Sequence, residues 1–242
     1  MRTMANGNTA PSGPLRDGAG VAKFRHEAVA AVMRVRPGEG LTVLAYRRGR
    51  SPFQGRWALP SGAVEVDESL DESVLRHLVA KVGVDAVAYL EQLQTRSAPG
   101  RDPFDRTIAT AYLGLLPWDC DPAIPDHAAW VPVAELPEMA FDHDGLARVA
   151  VERLRAKLSY TNVGYALAPD EFTVAQLRDA YAAVLGHDVS ATNLQRILQR
   201  RGQLVATGER APSGVEGGRP ARLYRFTQRE LAVTDPFVVF KP

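Results

Sequence analysis

One segment of the chain, residues 62–84, constrains the fold more than any other. Apolar residues recur at helical spacing within it, which predicts a helix over residues 69–82. Gly83 stands where a helix commonly ends. Asp67 or Glu68 lies at the helix N-terminus, where a negative charge suits the helix dipole. The side chains that we expect to face a core are Leu70, Val74, Leu75, Leu78, Val79 and Val82.

Short apolar segments on either side of this helix predict a β-sheet. Residues 28–35 and 41–46 flank a turn at residues 36–40, where Pro and Gly supply the required dihedral angles, so we expect a hairpin. Residues 57–60 form a short extended segment. After the helix, the sequence predicts strands at residues 86–96, 106–115 and 128–132, and a closing helix at residues 145–158.

Residues 62–84 look like a Nudix box that has lost its metal-binding carboxylates. The family pattern is a Gly, five residues, a Glu, seven residues, then Arg-Glu-aliphatic-x-Glu-Glu-x-Gly-aliphatic. Gly62, Glu68, Arg76, Leu78, Gly83 and Val84 fall in register with it. His77, Ala80 and Lys81 occupy the three other carboxylate positions. An active box gathers carboxylates on a divalent metal that bridges a pyrophosphate. The resemblance therefore implies a retained scaffold with no catalytic residues and no metal site.

Cations near this segment could bind a nucleotide pyrophosphate without a metal. Lys81 could supply part of the missing positive charge through a charge-assisted hydrogen bond. Arg47 and Arg48 could add further positive charge, with a solvated charge in a loop as the alternative role of each. Trp57 could stack on a base, with core packing as the alternative role of its ring. The predicted effector-binding residues are Arg47, Arg48, Trp57, Gly62, Glu68, Arg76 and Lys81.

The pattern changes from Glu171 onward and becomes typical of a winged helix-turn-helix. Thr173-x-x-Gln176 is a capping box, and the helix that follows should end at Gly186. Ser190 caps a second helix over residues 191–201, which should end at Gly202. Strand-like segments at residues 203–207 and 221–226 flank a loop rich in Gly and Arg. This order of elements predicts a winged helix, whose first helix should bury Leu177, Ala180, Tyr181 and Val184.

The second helix of this module has an outer face without acidic side chains. Its hydroxyl, amide and guanidinium groups are those that read base edges or hold phosphates. A merely solvated face would usually mix acidic and basic residues. Arginines in the loop suit phosphate or minor-groove contacts. The predicted DNA-binding residues are Thr192, Asn193, Gln195, Arg196, Gln199, Arg200, Arg219 and Arg222.

Composition narrows the classes of protein further. The net charge is +1, so a nucleic-acid site must be a local patch. A single cysteine, Cys120, fits a reducing compartment, and no apolar run reaches membrane-spanning length. We therefore expect a cytoplasmic, nucleoid-associated protein. The expected organisation is a disordered leader at residues 1–22, an effector domain at 23–159, a linker at 160–170 and a DNA-binding domain at 171–242.

The chain as a whole resembles the Nudix-related transcriptional regulators, the NrtR family. The resemblance rests on the degenerate box and on residues 51–60, 141–144, 171–173, 193–196 and 218–226. It implies an α/β fold: a Nudix α/β/α sandwich with a mixed sheet, followed by a C-terminal winged helix-turn-helix domain. It also implies a homodimeric repressor of NAD biosynthesis or salvage genes that binds a palindromic operator. ADP-ribose or a related nucleotide would be the effector, with no cofactor.

Two other functions stay open at this stage. One is a metal-dependent Nudix pyrophosphatase that acts on ADP-ribose or another nucleoside diphosphate derivative. Displaced ligands would then have to come from Glu68, Asp71 and Glu72. The other is a protein-interaction module, which acidic or apolar residues on the outer face of helix 191–201 would favour. That helix carries no acidic residue, so DNA is the better match.

Overall fold

A mixed β-sheet forms the centre of the N-terminal part of the computed structural model, which describes residues 16–36, 38–212 and 220–235. Its strands follow the order β3-β2-β1-β6-β5, while β4 pairs with β1 and β7 pairs with β2. Only the β1–β6 pairing is parallel among the strand pairs described. The mixed sheet that we expected is therefore confirmed, with strands β1 Arg25–Arg36, β2 Gly40–Arg47, β3 Trp57–Ala58, β4 Ser61–Ala63, β5 Tyr89–Arg96, β6 Thr107–Leu115 and β7 Ala128–Pro132.

Strand β1 explains why helices must cover both faces of this sheet. Its successive side chains point to opposite faces: Val29, Ala31 and Met33 join one apolar cluster. Ala28, Ala30 and Val32 join another. A strand that is apolar on both faces belongs in a sheet covered on both sides. Helix α1, Leu70–Val82, covers one face, and helix α2, His143–Tyr160, covers the other.

The N-terminus of α1 differs from our expectation. Ser69 is the N-cap, and its hydroxyl accepts a hydrogen bond from the backbone N–H of Glu72. The Glu72 carboxylate accepts one from the Ser69 backbone in return, which completes a capping box. Glu68 pairs instead with Arg76. Gly83 ends the helix with φ 70°, in the left-handed region that glycine adopts freely, as predicted.

Two members of the apolar set predicted for α1 do not face the core. Leu75 is 36% exposed and Val79 is 52% exposed, whereas Val74, Leu78 and Val82 are buried. The sheet covers only a narrow stripe of the helix, and His77 occupies part of the buried side. Our expectation was wrong for Leu75 and Val79, because helical spacing does not show how wide a stripe the neighbouring strands cover.

The C-terminal part has the predicted order of a winged helix. Thr173 and Gln176 form the expected capping box, and Gly186 ends the first helix with φ 79°. Ser190 caps the second helix, which ends one residue earlier than predicted. The predicted site residue Arg219 lies outside the described residues. The elements are β8 Phe172–Thr173, α3 Val174–Leu185, α4 Ala191–Arg200, β9 Leu204–Arg210 and β10 Arg222–Phe226, with a sheet in the order β8-β10-β9.

The segment expected to be a linker, residues 160–170, is packed into the molecule. Residues 161–168 are all buried, and Val163–Ala166 form a 3₁₀ turn. A Cβ added at Gly164 would lie 2.5 Å from the hydroxyl of Tyr181, so only glycine allows this approach. Apolar residues of α3 and α4 also belong to the same cluster as those of α2. The two parts of the chain therefore share a continuous core.

The residues before β1 are described only in part. Residues 1–15 of the expected leader are not described, and residues 16–20 are exposed. The Asp17 carboxylate accepts hydrogen bonds from the backbone N–H groups of Ala19 and Val21 and so closes a short turn. Among the helices of the described ranges, none is both long enough and apolar enough to cross a membrane.

Candidate functional site

A cleft of about 250 Å³ opens where the ends of β1, β2 and β4 meet the C-terminal end of α1. Three of the predicted effector-binding residues, Arg48, Gly62 and Lys81, line it. Charged side chains from four parts of the chain surround the opening: Arg25, Arg48, Arg50 and Lys81 are basic, and Glu27, Asp102 and Asp105 are acidic. Arg25 is paired with Glu27 at 2.9 Å. The remaining three basic and two acidic side chains leave an excess of one positive charge, which suits an anionic ligand.

Lys81 is held at the rim of this cleft by two favourable electrostatic effects. Its Nζ lies 5.3 Å from the centre of the Tyr46 ring, within the range of a cation–π contact. It also lies in the last turn of α1, where the helix dipole favours a cation. The ammonium group therefore stands at the position from which the box lost a carboxylate, close to the floor formed by Gly62.

His77 packs beneath the cleft instead of pointing into it. The side chain is 8% exposed, and its Nε2 lies 2.9 Å from the carbonyl oxygen of Ala63. Burial lowers the pKa of His77, and the hydrogen bond to Ala63 offsets this only in part. A neutral ring with Nε2–H donating to the carbonyl follows. Gly62 permits this packing, since a Cβ there would lie 2.2 Å from Cε1 of His77.

Glu68 and Arg76, two residues that match the box, bind each other. The Arg76 Nε donates to Glu68 Oε2 at 2.7 Å, and its second nitrogen donates to the carbonyl of Ala63 at 3.0 Å. The hydrogen bond from Arg76 is the main reason that the pKa of Glu68 falls to about 2. The pair ties the loop before α1 to the helix and so shapes the floor of the cleft.

Arg47 and Trp57 lie beside the cleft, where β2 pairs with β3. The Arg47 guanidinium stacks 4.6 Å from the centre of the Trp57 ring, and one of its nitrogens donates to the carbonyl of Gly55 at 3.1 Å. Trp57 also packs, half-buried, against the larger apolar cluster. These contacts agree with the core-packing alternative for Trp57.

An aromatic wall that our sequence prediction of the site omitted is built around Phe141. Its backbone has φ 55°, unusual for a residue other than glycine, and the residue lines the cleft. The guanidiniums of Arg48 and Arg101 lie 4.7 Å and 5.9 Å from the ring centre. Burial alone would raise the pKa of Asp142, but the Arg101 guanidinium at 2.7 Å holds it below its usual range. In the sequence, only the motif at residues 141–144 indicated this part of the site, because Arg101 is distant from it along the chain.

His143 anchors the start of α2 to the strand region behind the cleft. Its Nδ1 accepts a hydrogen bond from the backbone N–H of Leu59 at 3.0 Å. Complete burial lowers the pKa of His143 to about 3, although the nearby Asp142 acts in the opposite direction. The imidazole is therefore neutral, and its role is to fix α2 against β3 and β4. Within the described ranges, His, Cys, Asp and Glu side chains do not gather in groups of three or more that could hold a metal ion.

The outer face of α4 is exposed as the sequence indicated. Leu194 and Leu198 are buried beneath it, and Gln195 is half-buried at its edge. Arg222, at the start of β10, is exposed near the wing. The side chains of this face are partly ordered by one another: Arg196 donates to Asn193 Oδ1 at 2.7 Å. The exposed residues of this surface are Thr192, Asn193, Arg196, Gln199 and Arg200.

Helix α2 connects the cleft to the winged helix. It begins just after Phe141 in the cleft wall, and near its other end Arg155 Nε donates to the carbonyl of Val184 in α3 at 2.8 Å. Ser159, also in α2, accepts a hydrogen bond from Arg201 at the end of α4 at 2.9 Å. A displacement of α2 would therefore reach both helices of the C-terminal part.

The two parts of the chain match two known domain families. Residues 24–152 match the NUDIX domain, and residues 164–226 match the NrtR DNA-binding winged helix domain. The chain is 30% identical over 219 residues to the ADPR responsive transcriptional repressor NtrR of Acinetobacter baylyi, and the match spans 88% of this chain and 86% of that protein. It is also 31% identical over 112 residues to an ADP-ribose pyrophosphatase of Methanocaldococcus jannaschii, covering 44% of this chain and 63% of that protein.

Solved structures agree with this assignment. The chain is similar to Shewanella oneidensis NrtR complexed with a 27mer DNA, with a TM-score of 0.72, 30% identity, and coverage of 83% of this chain and 93% of that one. It is also similar to the NUDIX domain of the same protein complexed with ADP ribose, with a TM-score of 0.50, 31% identity, and coverage of 57% and 93%. The chain is therefore a member of the NrtR family, with a Nudix domain followed by a winged-helix DNA-binding domain.

Proposed function

We propose that this protein is a DNA-binding transcriptional repressor that senses ADP-ribose or a related nucleotide through its Nudix domain. The observation that carries the proposal is the presence, on one chain, of a cleft at the degenerate box lined by Lys81, Arg48 and Arg50, and of an exposed helix of amide, hydroxyl and guanidinium side chains. A relative that matches 88% of this chain is named an ADPR responsive transcriptional repressor, and another was crystallised with DNA.

The proposal includes the absence of hydrolysis. His77 is buried beneath the cleft, Ala80 has no ligand atom, and Lys81 is cationic, so the box positions that hold metal in active members cannot do so here. Purified protein should therefore hydrolyse ADP-ribose no faster than buffer, with Mg²⁺ or Mn²⁺ present. Metal-dependent turnover that Glu68→Gln abolishes would contradict this and support the alternative, a Nudix pyrophosphatase acting on ADP-ribose or a similar nucleoside diphosphate derivative.

Lys81 would replace part of the charge that a metal supplies to a pyrophosphate. A hydrogen bond to a charged group contributes about 1.5–3 kcal/mol, so Lys81→Ala should weaken ADP-ribose binding by roughly tenfold or more. Isothermal titration without added metal measures this. Arg148→Ala removes an exposed charge from α2, away from the cleft lining, and serves as the matched control. Equal affinities of Lys81→Ala and the wild type would remove Lys81 from the site.

DNA binding by α4 would require two copies of the chain. A homodimer should place two recognition helices on a pseudo-palindromic operator, with half-sites near one helical turn apart or a multiple of it. The genes under control would be those of NAD biosynthesis or salvage, and a cytoplasmic, nucleoid-associated location belongs to the same proposal. The wing would add phosphate contacts through Arg219 and Arg222.

Comparing two arginines tests whether α4 reads the DNA. Arg196→Ala should cost about 1–3 kcal/mol on the operator and relax preference at one position. Arg178 in α3 is the matched control, since it is already paired with Asp179 at 2.9 Å, outside the proposed reading face. Equal operator affinity of the two folded variants would mean that α4 is not the reader.

A further inference from the structure

A tyrosine behind the outer face of α4 touches that face through its hydroxyl. Tyr224 is 6% exposed, and its position in β10 lies opposite Phe172 of β8 and Ala206 of β9. The side chain belongs to the large apolar cluster. Its hydroxyl oxygen nevertheless accepts a hydrogen bond from Gln195 Nε2 at 2.9 Å. A buried core residue therefore holds a side chain of the DNA-facing helix.

The hydrogen bonds continue from Gln195 to the exposed side of the helix. Gln195 Nε2 also donates to Gln199 Oε1 at 3.3 Å, one turn further along α4. An amide nitrogen has two hydrogens, so both donors of Gln195 are used by these contacts. In the part of the chain described, the Gln199 NH₂ makes no hydrogen bond to protein, and its oxygen has a second acceptor position. A series of hydrogen bonds thus links Tyr224, Gln195 and Gln199 and ends at the exposed side of the helix.

We propose that Tyr224 is a positioning residue for base recognition, and this rests on the proposed function of α4 as the DNA reader. Its hydroxyl sets the orientation of Gln195, which in turn holds the Gln199 oxygen through one acceptor position and leaves the Gln199 NH₂ and the other acceptor position to face outward. A glutamine amide presents one donor and one acceptor to the N7 and N6 positions of adenine in the major groove. This series of hydrogen bonds therefore assigns to Gln199 the reading of one adenine in each half-site.

Selection from a randomised double-stranded DNA library tests this, because the protein itself then picks out its preferred site. Tyr224→Phe removes the hydroxyl and keeps the ring. The variant should lose the preference for adenine at one position of each half-site and retain the other preferences. Affinity for the selected site should fall about threefold to tenfold, as expected for one neutral hydrogen bond. Affinity for a scrambled duplex should stay unchanged.

Two further variants separate positioning from folding. Gln195→Ala interrupts the same series of hydrogen bonds at a half-buried position and should relax the same base preference. Adding Tyr224→Phe to Gln195→Ala should then cost nothing more, because the two changes interrupt one interaction. Tyr181→Phe is the matched control: this buried hydroxyl has no hydrogen-bond partner among the described residues. It should leave the base preferences of the wild type intact.

The outcomes distinguish this inference from the function on which it rests. Wild-type preferences in both Tyr224→Phe and Gln195→Ala, with altered preferences in Gln199→Ala and Arg196→Ala, would overturn the positioning role alone. An equal loss of affinity for the selected and the scrambled DNA in Tyr224→Phe and Gln195→Ala would also overturn it, in favour of a structural role. Wild-type preferences in Gln199→Ala and Arg196→Ala as well would overturn the proposed function of α4.

Discussion

Replacing Gly62 with alanine tests how the degenerate box is packed. Gly62 has no positive φ, so its backbone accepts alanine without strain, and the cost comes from the new methyl group alone. Its Cβ would lie 2.2 Å, 2.5 Å and 2.8 Å from Cε1, Nε2 and Nδ1 of His77. Carbon atoms normally stay about 3.5–4.0 Å apart. The buried ring must therefore move by about 1 Å or more, which strains its hydrogen bond to Ala63.

The expected size of the effect follows from overpacking. Forcing an extra methyl group into a packed site costs about 1–3 kcal/mol. For a chain of this length, each kcal/mol lowers the melting temperature by about 2–4 °C. Thermal and urea unfolding, followed by circular dichroism, should thus show a loss of roughly 2–12 °C for Gly62→Ala. Gly49→Ala is the matched control, since nothing lies within 4 Å of the Cβ position there.

A double-mutant cycle attributes this loss to His77. In a His77→Ala background the methyl group has space, so Gly62→Ala should cost less than about 0.5 kcal/mol there. The free energy of unfolding of the four proteins gives the interaction directly. If Gly62→Ala lowers the free energy of unfolding equally in both backgrounds, or in neither, the packing of His77 against Gly62 is not the reason that position 62 needs a glycine.

Two other perturbations address α2. Arg155→Ala removes the hydrogen bond to the carbonyl of Val184. Operator affinity without ligand should change little, but the change in affinity that ADP-ribose produces should become smaller. Arg148→Ala is the control and should leave the response to ADP-ribose intact. A full response in Arg155→Ala, measured by anisotropy of labelled DNA, would exclude this contact as the connection. His143 is neutral in the fold, with a pKa of about 3, and protonates near 6.5 when unfolded. Below pH 6.5 the unfolded state binds one more proton at His143, so this residue alone should lower the stability by about 1.4 kcal/mol per pH unit down to pH 3. His143→Gln should flatten this slope in urea titrations, and an unchanged slope would contradict the assignment.

Several parts of the fold that local sequence signals define were predicted correctly. The capping box at Thr173 and Gln176 and the stop at Gly186 depend on residues within one turn of each other, and both are present. The mixed sheet follows from apolar runs that need cover on both faces. At α1 the cap was missed although Ser69 and Glu72 carry the same signal, because Glu68 and Asp67 place competing acidic groups at the same end of the helix.

The cleft was harder to predict because its walls come from distant parts of the sequence. Arg48, Gly62 and Lys81 were found through the box and its approach, but Phe141 and Arg101 were not assigned to the site. Nothing near Arg101 in the sequence indicates that it pairs with Asp142. The burial of residues 161–168 was likewise hidden, since their core partners lie on other elements.

The measurement that tests the central proposal most directly is operator affinity with and without ADP-ribose. Fluorescence anisotropy of a duplex from the upstream region of the protein's own operon supplies it, with no metal added. Coupling between two sites typically changes affinity by about 5-fold to 150-fold. We predict a change of at least about fivefold at saturating ADP-ribose, without consumption of the nucleotide. The same dissociation constant in both conditions, or no sequence-specific binding in either, would contradict a repressor that senses this ligand.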